Sequence, residues 1–309
     1  MQLKIVSANI SEKKGTVKKP TDSITITALG VEGDAHSGPW HRQISMLGRE
    51  SVARFAKEAG RDIAFGEFAE NLTTEGVELV NTLPLDRFSG NGVELEVTQI
   101  GKKCHGTACA IYTEVGNCVM PKEGIFARVV KTGVLAPGDV LIYSPRVFRF
   151  LIITLSDRAY SGEYTDRSGP RVADLLNSHF QNTHRKIQIE SLLIADDSDA
   201  LKKAVVAAID NKIDVVITTG GTGVGERDIT VDTIKPLLQK EIPGIMENIR
   251  MKYGAANPMA LLSRSVAGIT GNTFVYTLPG SVKAINEYMP EILKTLEHLI
   301  YMRYGIDTH

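Results

Sequence analysis

The segment VVITTGGTGVGERDITVDT, residues 215–233, concentrates the chemistry of this chain. A short continuous apolar strand runs into Gly220-Gly221-Thr222-Gly223, and a helix is expected to start near Thr230. Glycines there permit positive φ and a close backbone approach, so successive N–H groups can cradle an anion beyond the end of a strand. The competing reading is a plain strand-to-helix turn. No Gly-Lys-Ser/Thr follows, which excludes a P-loop, and the spacing does not fit the Gly-x-Gly-x-x-Gly dinucleotide pattern. Asp228 favours the cradle. A carboxylate beside a bound phosphate repels it by about 4 kcal/mol at 4 Å in an effective dielectric near 20, so its placement makes sense with a divalent cation between them, Mg²⁺ being the usual choice. Asp196 and Asp197, closing IQIESLLIADD, invite the same argument, with helix capping as the alternative. Capping is assigned to Asp197 and a functional role to Asp196.

A second reactive position is Cys104, flanked by Lys102, Lys103 and His105. Positive neighbours lower a thiol's pKa, and thiolate is a soft metal ligand; the alternative is an inert buried cysteine. Cys109 and Cys118 read as packing residues. Three cysteines form no paired secretory framework. A zinc site is not expected, since no Cys-x-x-Cys spacing occurs.

The elements that must position these groups fall into two rhythms. Up to about residue 145, short β-rich runs (LKIVSAN, SITITAL, VELEVTQI, DVLIYS) alternate with turn residues, and one helical stretch spans roughly 49–58. That half is expected to be a mostly-β barrel or strongly bent sheet. From residue 146 strands and helices alternate: FRFLIITL, a helix over about 169–180, IQIESLLI, a helix over 198–210, VVITT, a helical run over 245–253, FVYTL, and a final helix over about 282–303 with Pro290 as a kink or restart. Such alternation predicts a mainly parallel sheet with helices on both faces, a three-layer α/β domain. The expected domains are 1–145 and 146–309, consistent with a length of 309 residues.

Charge excludes some functions. Lys+Arg number 35 and Asp+Glu 36, split 16 and 17 before the boundary and 19 and 19 after it, so neither half has the basic surplus of a nucleic-acid or anionic-membrane surface. No apolar run approaches the roughly 20 residues of a membrane helix. The N-terminal MQLKIVSANISEKKG lacks a signal-peptide pattern, which makes the cytoplasm the expected location.

Residues 148–309 resemble the MogA/MoaB family, the molybdopterin adenylyltransferases. The motifs, in family order, are Ser156-Asp157-Arg158, Asp166-Arg167-Ser168-Gly169-Pro170, TTGGTGVGERDIT, Pro243-Gly244, Pro258-Met259-Ala260, Leu262-Ser263-Arg264, Ala267-Gly268 and Leu278-Pro279-Gly280-Ser281. The resemblance implies Mg²⁺-dependent reaction of ATP with molybdopterin, the pterin's terminal phosphate attacking the α-phosphorus and releasing pyrophosphate. It also implies a trimer. On this resemblance Asp228 and Asp196 hold the metal. Gly220, Gly221, Thr222 and Gly223 receive phosphate. Ser156, Asp157, Asp166, Ser168, Gly169, Ser263, Arg264, Pro279, Gly280 and Ser281 complete the ligand-binding set. The chain departs from the family with Val231-Asp232 in place of Pro-Glu and Thr277 in place of Asn.

The first half resembles a MOSC domain through Gly33-Asp34-Ala35-His36, Arg42-Gln43-Ile44-Ser45, GEFAENLT (66–73), Thr98-Gln99, Cys104, GIFARV (124–129) and Gly138-Asp139. This implies that Cys104 binds the cofactor's molybdenum or carries sulfur, with His36 and Asn71 as candidate cofactor contacts. Gly101-Lys102-Lys103-Cys104 replaces the family's Arg-x-Pro-Cys. The combined expectation is a molybdenum cofactor biosynthesis protein, with a molybdenum insertase or molybdoenzyme as a possible partner. The competing expectations are a non-catalytic cofactor carrier or storage protein, and a cofactor sulfur transferase.

Overall fold

The computed structural model describes residues 1–102 and 118–306. They form two compact units, Met1–Arg146 joined by the residues from Tyr304 onward, and Val147–Arg303. No helix among the described residues is long and apolar enough to cross a membrane.

The first unit contains β1 (Gln2–Ile10), β2 (Lys19–Thr21), β3 (Ile24–Thr27), β4 (Gly30–Val31), β5 (Ile44–Gly48), α1 (Arg49–Ala59), β6 (Leu72–Glu75), β7 (Arg87–Gly90), β8 (Val93–Ile100), α2 (Met120–Glu123), β9 (Ile125–Lys131), β10 (Gly133–Leu135) and β11 (Val140–Ser144). Strands run in the order β11-β7-β8-β9-β5-β6-β1, and β1 pairs back with β11 through Leu3 opposite Leu141, so the sheet closes into a barrel. Closure leaves no ladder edge in that ring unpaired. Alternate residues such as Leu3, Ile5, Leu95 and Val97 point inward with Ile44, Met46 and Phe88 and are wholly buried. The C-terminal residues add to this unit: Tyr304 O accepts from Arg128 Nη1 at 2.7 Å, and Ile306 is buried.

The second unit contains β12 (Val147–Leu155), α3 (Asp157–Tyr160), α4 (Ser168–Thr183), β13 (Lys186–Ile194), α5 (Ser198–Asp210), β14 (Val215–Thr219), α6 (Thr230–Ile234), β15 (Lys240–Glu241), α7 (Pro243–Gly254), β16 (Ala267–Thr270), β17 (Thr273–Leu278) and α8 (Val282–Arg303). Its sheet order is β13-β12-β14-β17-β16-β15; the first four strands are mutually parallel, and the β17–β16 and β16–β15 pairs are antiparallel. Ile153, Val216 and Val275 bury one face with Leu201 and Val205 of α5. On the other face Phe148 and Phe150 meet Phe180 of α4 with ring centroids 6.1 and 5.5 Å apart. The helix α8 runs through Pro290 without a restart. Pro290 is exposed, so the carbonyl that loses its helical N–H partner there lies on the solvent side.

Candidate active site

At the end of β14 the chain turns through Gly220 at φ +107° and Gly221 at φ +63°. A Cβ on Gly220 would lie 2.2 Å from the Leu155 carbonyl oxygen, one on Gly221 2.5 Å from Thr230 Oγ1, and one on Gly223 2.6 Å from Asp228 Oδ2. Backbone closes Gly220 to a side chain and its positive φ disfavours one at Gly221, whereas at Gly223 the obstacle is the tip of the Asp228 side chain. The loop's carbonyls are all engaged. That of Gly220 accepts from Thr230 Oγ1 at 2.8 Å and that of Gly221 from Thr230 N at 3.0 Å. Those of Thr222 and Gly223 accept from Arg264 N at 2.9 Å and Arg264 Nε at 2.7 Å. The N–H groups of Gly221, Thr222 and Gly223 make no hydrogen bond among the described residues. The loop thus turns its acceptors toward the framework and leaves three successive donors free, the arrangement that binds an anion.

The strands β13-β12-β14 are in the order second, first, third within this unit, so the connections diverge between the carboxyl ends of β12 and β14. Ligands of open α/β sheets bind at such a switch point. A cavity of about 400 Å³ lies beside the loop, lined by Gly221–Gly223, Asp228, Ser263, Pro279–Ser281 and the first turns of α8.

Asp228 lines this cavity. Its Oδ2 accepts from Gly225 N at 2.8 Å, and its Oδ1 has no partner among the described residues. Asp196 lies outside the cavity lining and forms a reciprocal pair with Asp157: Asp196 N donates to Asp157 Oδ1 at 3.0 Å, and Asp157 N donates to Asp196 Oδ2 at 3.2 Å. Burial, with the charges of Asp157 and Asp228, raises the Asp196 carboxyl above the usual aspartate range. Asp157 is held below that range by Arg227, whose Nε donates to Asp157 Oδ2 at 3.0 Å and whose Nη2 donates to the same oxygen. Asp197 caps α5, accepting from Ala200 N at 2.7 Å.

The remaining expected residues surround the same corner, several of them through bonds that brace it. Arg264 forks onto Asp232 with bonds of 2.9 and 2.8 Å besides its bonds to the loop, and Nη2 also donates to Asp228 O at 3.1 Å. Its guanidinium therefore straps the glycine loop to α6. Ser263 Oγ lies 3.3 Å from Thr222 Oγ1 and 2.8 Å from Ser265 Oγ. Asp166 accepts from Thr154 Oγ1, Ser168 N and Gly169 N, securing the start of α4. Ser168 Oγ donates to Gly280 O at 2.6 Å, and Pro279 O accepts from Thr219 Oγ1 at 3.1 Å. Ser156 Oγ accepts from Ala159 N, and Ser281 Oγ from Ala284 N. Sequence reasoning missed Thr230, Arg227, Lys283 and Glu287. Thr230 follows the loop closely enough to have been read as its clasp.

In the first unit Asn71 is buried with both ends of its amide engaged: Oδ1 accepts from Ser45 N and Oγ, and Nδ2 donates to Asn9 O at 3.3 Å. It ties β1, β5 and β6 together. His36 Nδ1 lies 3.4 Å from Asp34 Oδ1, and Asp34 is buried against Lys18 Nζ. Burial alone would raise the Asp34 carboxyl, but the bonds from His36 and Lys18 hold it far below its usual range. Cys104, with Lys103, His105 and Cys109, lies outside the described residues; Cys118 is buried.

A family model described as a probable molybdopterin binding domain matches residues 151–298, and a MOSC domain model matches residues 33–142. A protein of Helicobacter pylori (strain J99) named molybdopterin adenylyltransferase is 33% identical over 155 residues, covering 50% of this chain and 86% of that one. One of the same name from Pyrococcus furiosus is 36% identical over 162 residues, covering 51% and 92%. The crystal structure of tungsten cofactor synthesizing protein MoaB from Pyrococcus furiosus aligns at 33% identity over 52% of this chain and 99% of that chain, with a TM-score of 0.45. With 33% and 36% identity over most of the length of the two relatives named molybdopterin adenylyltransferase, the chain belongs, through its second half, to the MogA/MoaB family of molybdenum cofactor biosynthesis proteins, with a MOSC domain preceding it.

Proposed function

We propose that the second unit adenylylates molybdopterin with Mg·ATP. The observation that carries this is the glycine loop, with three free amides beside Asp228 in the cavity lining. The relatives named molybdopterin adenylyltransferase support the choice of substrate. In this reading the N–H groups of Gly221, Thr222 and Gly223 hold the triphosphate. Ser263 and Ser281 contact the second anion, molybdopterin's terminal phosphate. No protein nucleophile is needed, because the substrate phosphate attacks the α-phosphorus and pyrophosphate departs; the protein's contribution is to hold two anions together and excuse their charge.

The donor set fits magnesium. No cluster of three or more His, Cys, Asp or Glu ligands exists among the described residues, and Mg²⁺ takes only one or two carboxylates, filling its octahedron with phosphate and water. Asp228 through its free Oδ1, and Asp196, would hold it; the ion supplies charge neutralisation of the phosphates. The MOSC domain, in the same reading, binds the molybdenum form of the cofactor or carries sulfur on Cys104. A trimer, a cytoplasmic location and delivery to a molybdenum insertase belong to this proposal as well.

The test is pyrophosphate release from purified protein given ATP, Mg²⁺ and molybdopterin. Asp228→Asn retains an oxygen to accept the Gly225 N–H, so the loop keeps its shape. Turnover should fall at least about 100-fold with ATP affinity little changed. Equal loss of both would make Asp228 a folding residue. Ligand binding without turnover in the wild type would leave a cofactor carrier.

A further inference from the structure

The cavity carries a charge that phosphate binding does not explain. Glu287, on α8, lines it and is half-buried, yet its carboxylate makes no hydrogen bond or ion pair among the described residues. Lys283, one helical turn earlier on α8 and the one cation among the lining residues, forms no ion pair with it. An unneutralised carboxylate in a cavity built for anions opposes its own ligand unless something on that ligand donates to it. The position along the helix indicates which part of the ligand that is. Ser281 precedes α8 beside Gly280, whose added Cβ would lie 3.3 Å from Gly220 Cα, at the phosphate end. Glu287 follows six residues later, about 9 Å along the helix axis. Met259, Leu262 and Pro279 add apolar surface to the same cavity.

We propose that Glu287 reads the ring of the substrate by accepting the two adjacent N–H groups of a 2-amino-4-oxopyrimidine edge, the edge a pterin presents. This deepens the adenylylation reading and rests on it. A carboxylate only accepts, with two oxygens set side by side, and so matches a donor–donor edge in bidentate fashion. Adenine alternates donor and acceptor along its edges and would turn a lone pair on one of the two oxygens. Glu287 therefore selects the pterin ring for this end of the cavity, while Lys283 remains available to the phosphates at the other.

The experiment compares wild type with Glu287→Gln in binding three probes: pterin, followed by its fluorescence; lumazine, in which an oxo group replaces the 2-amino group; and ATP. Wild type should bind pterin more tightly than lumazine. Glu287→Gln should weaken pterin binding about 10- to 100-fold, the worth of a hydrogen bond to a charged group, and erase the preference, with ATP binding unchanged. An unaltered pterin preference in the variant overturns the proposal, as does a parallel loss of ATP affinity, which would seat adenine there instead. The two readings fail separately. A Glu287-dependent pterin preference without pyrophosphate release sinks only the adenylylation, and turnover with an indifferent Glu287 sinks only this assignment.

Discussion

Asp196 sits in a conflict that its own chemistry must resolve. Burial first, then the charges of Asp157 and Asp228, raise its carboxyl above the ordinary aspartate value, which is about 3.9. The sign of the pH effect follows. The contribution to stability is complete below that ordinary value and is lost as pH rises through the higher value of the folded state. Above that folded-state value the wild type has lost it, whereas Asp196→Asn has nothing to lose. Melting curves should place the variant above wild type at pH 7, with the gap closing near pH 4, while its magnesium-dependent turnover falls. A variant melting below wild type at pH 7 would mean that the Asp157–Asp196 pair stabilises the fold in its ionised form. Arg227 marks the other side of the conflict, since its fork onto Asp157 keeps one of three neighbouring carboxylates neutralised.

Between β14 and α6, side-chain size decides whether the element can exist. An alanine at Gly220 would drive its Cβ against the Leu155 carbonyl at a backbone angle that side chains avoid. Overpacking costs about 1–3 kcal/mol, and the upper end corresponds to a fall in melting temperature of roughly 6–12 °C for a unit of this size. Calorimetry of Gly220→Ala would check it; a melting temperature within a degree or so of wild type would show that β12 and β14 can spread. This part of the site was legible in sequence because it is contiguous: strand, glycines and Asp228 fall within fifteen residues, and periodicity placed β12, β14 and α5. Contacts between distant segments were not. Nothing near Arg264 announces that its guanidinium would strap Gly223 to Asp232, and Glu287 looks in sequence like one more solvated charge of an amphipathic helix. Asn71, read as a cofactor contact, is occupied by Ser45 and Asn9, partners that only the closing of the barrel supplies.

For the whole chain, the two units differ in how they are assembled from sequence. The second is one continuous stretch, whereas the first draws on both ends of the described chain. Tyr304 accepts from Arg128 and its ring lies 5.9 Å from the Arg146 guanidinium, and Ile306 is 1% exposed. Ending the chain at Arg303 should remove about 1.5–3 kcal/mol of apolar burial from the first unit. In a two-transition melt, the transition assigned to residues 1–146 should drop while pyrophosphate release stays at the wild-type rate. An unshifted first transition would make the tail an ornament of the barrel. The same arrangement has a bearing on biosynthesis. On the ribosome, residues 1–146 emerge first but must wait for 304–306 before their packing is complete, and by then every residue of the catalytic half has been made. The barrel, translated ahead of the catalytic half, is completed by residues that follow it.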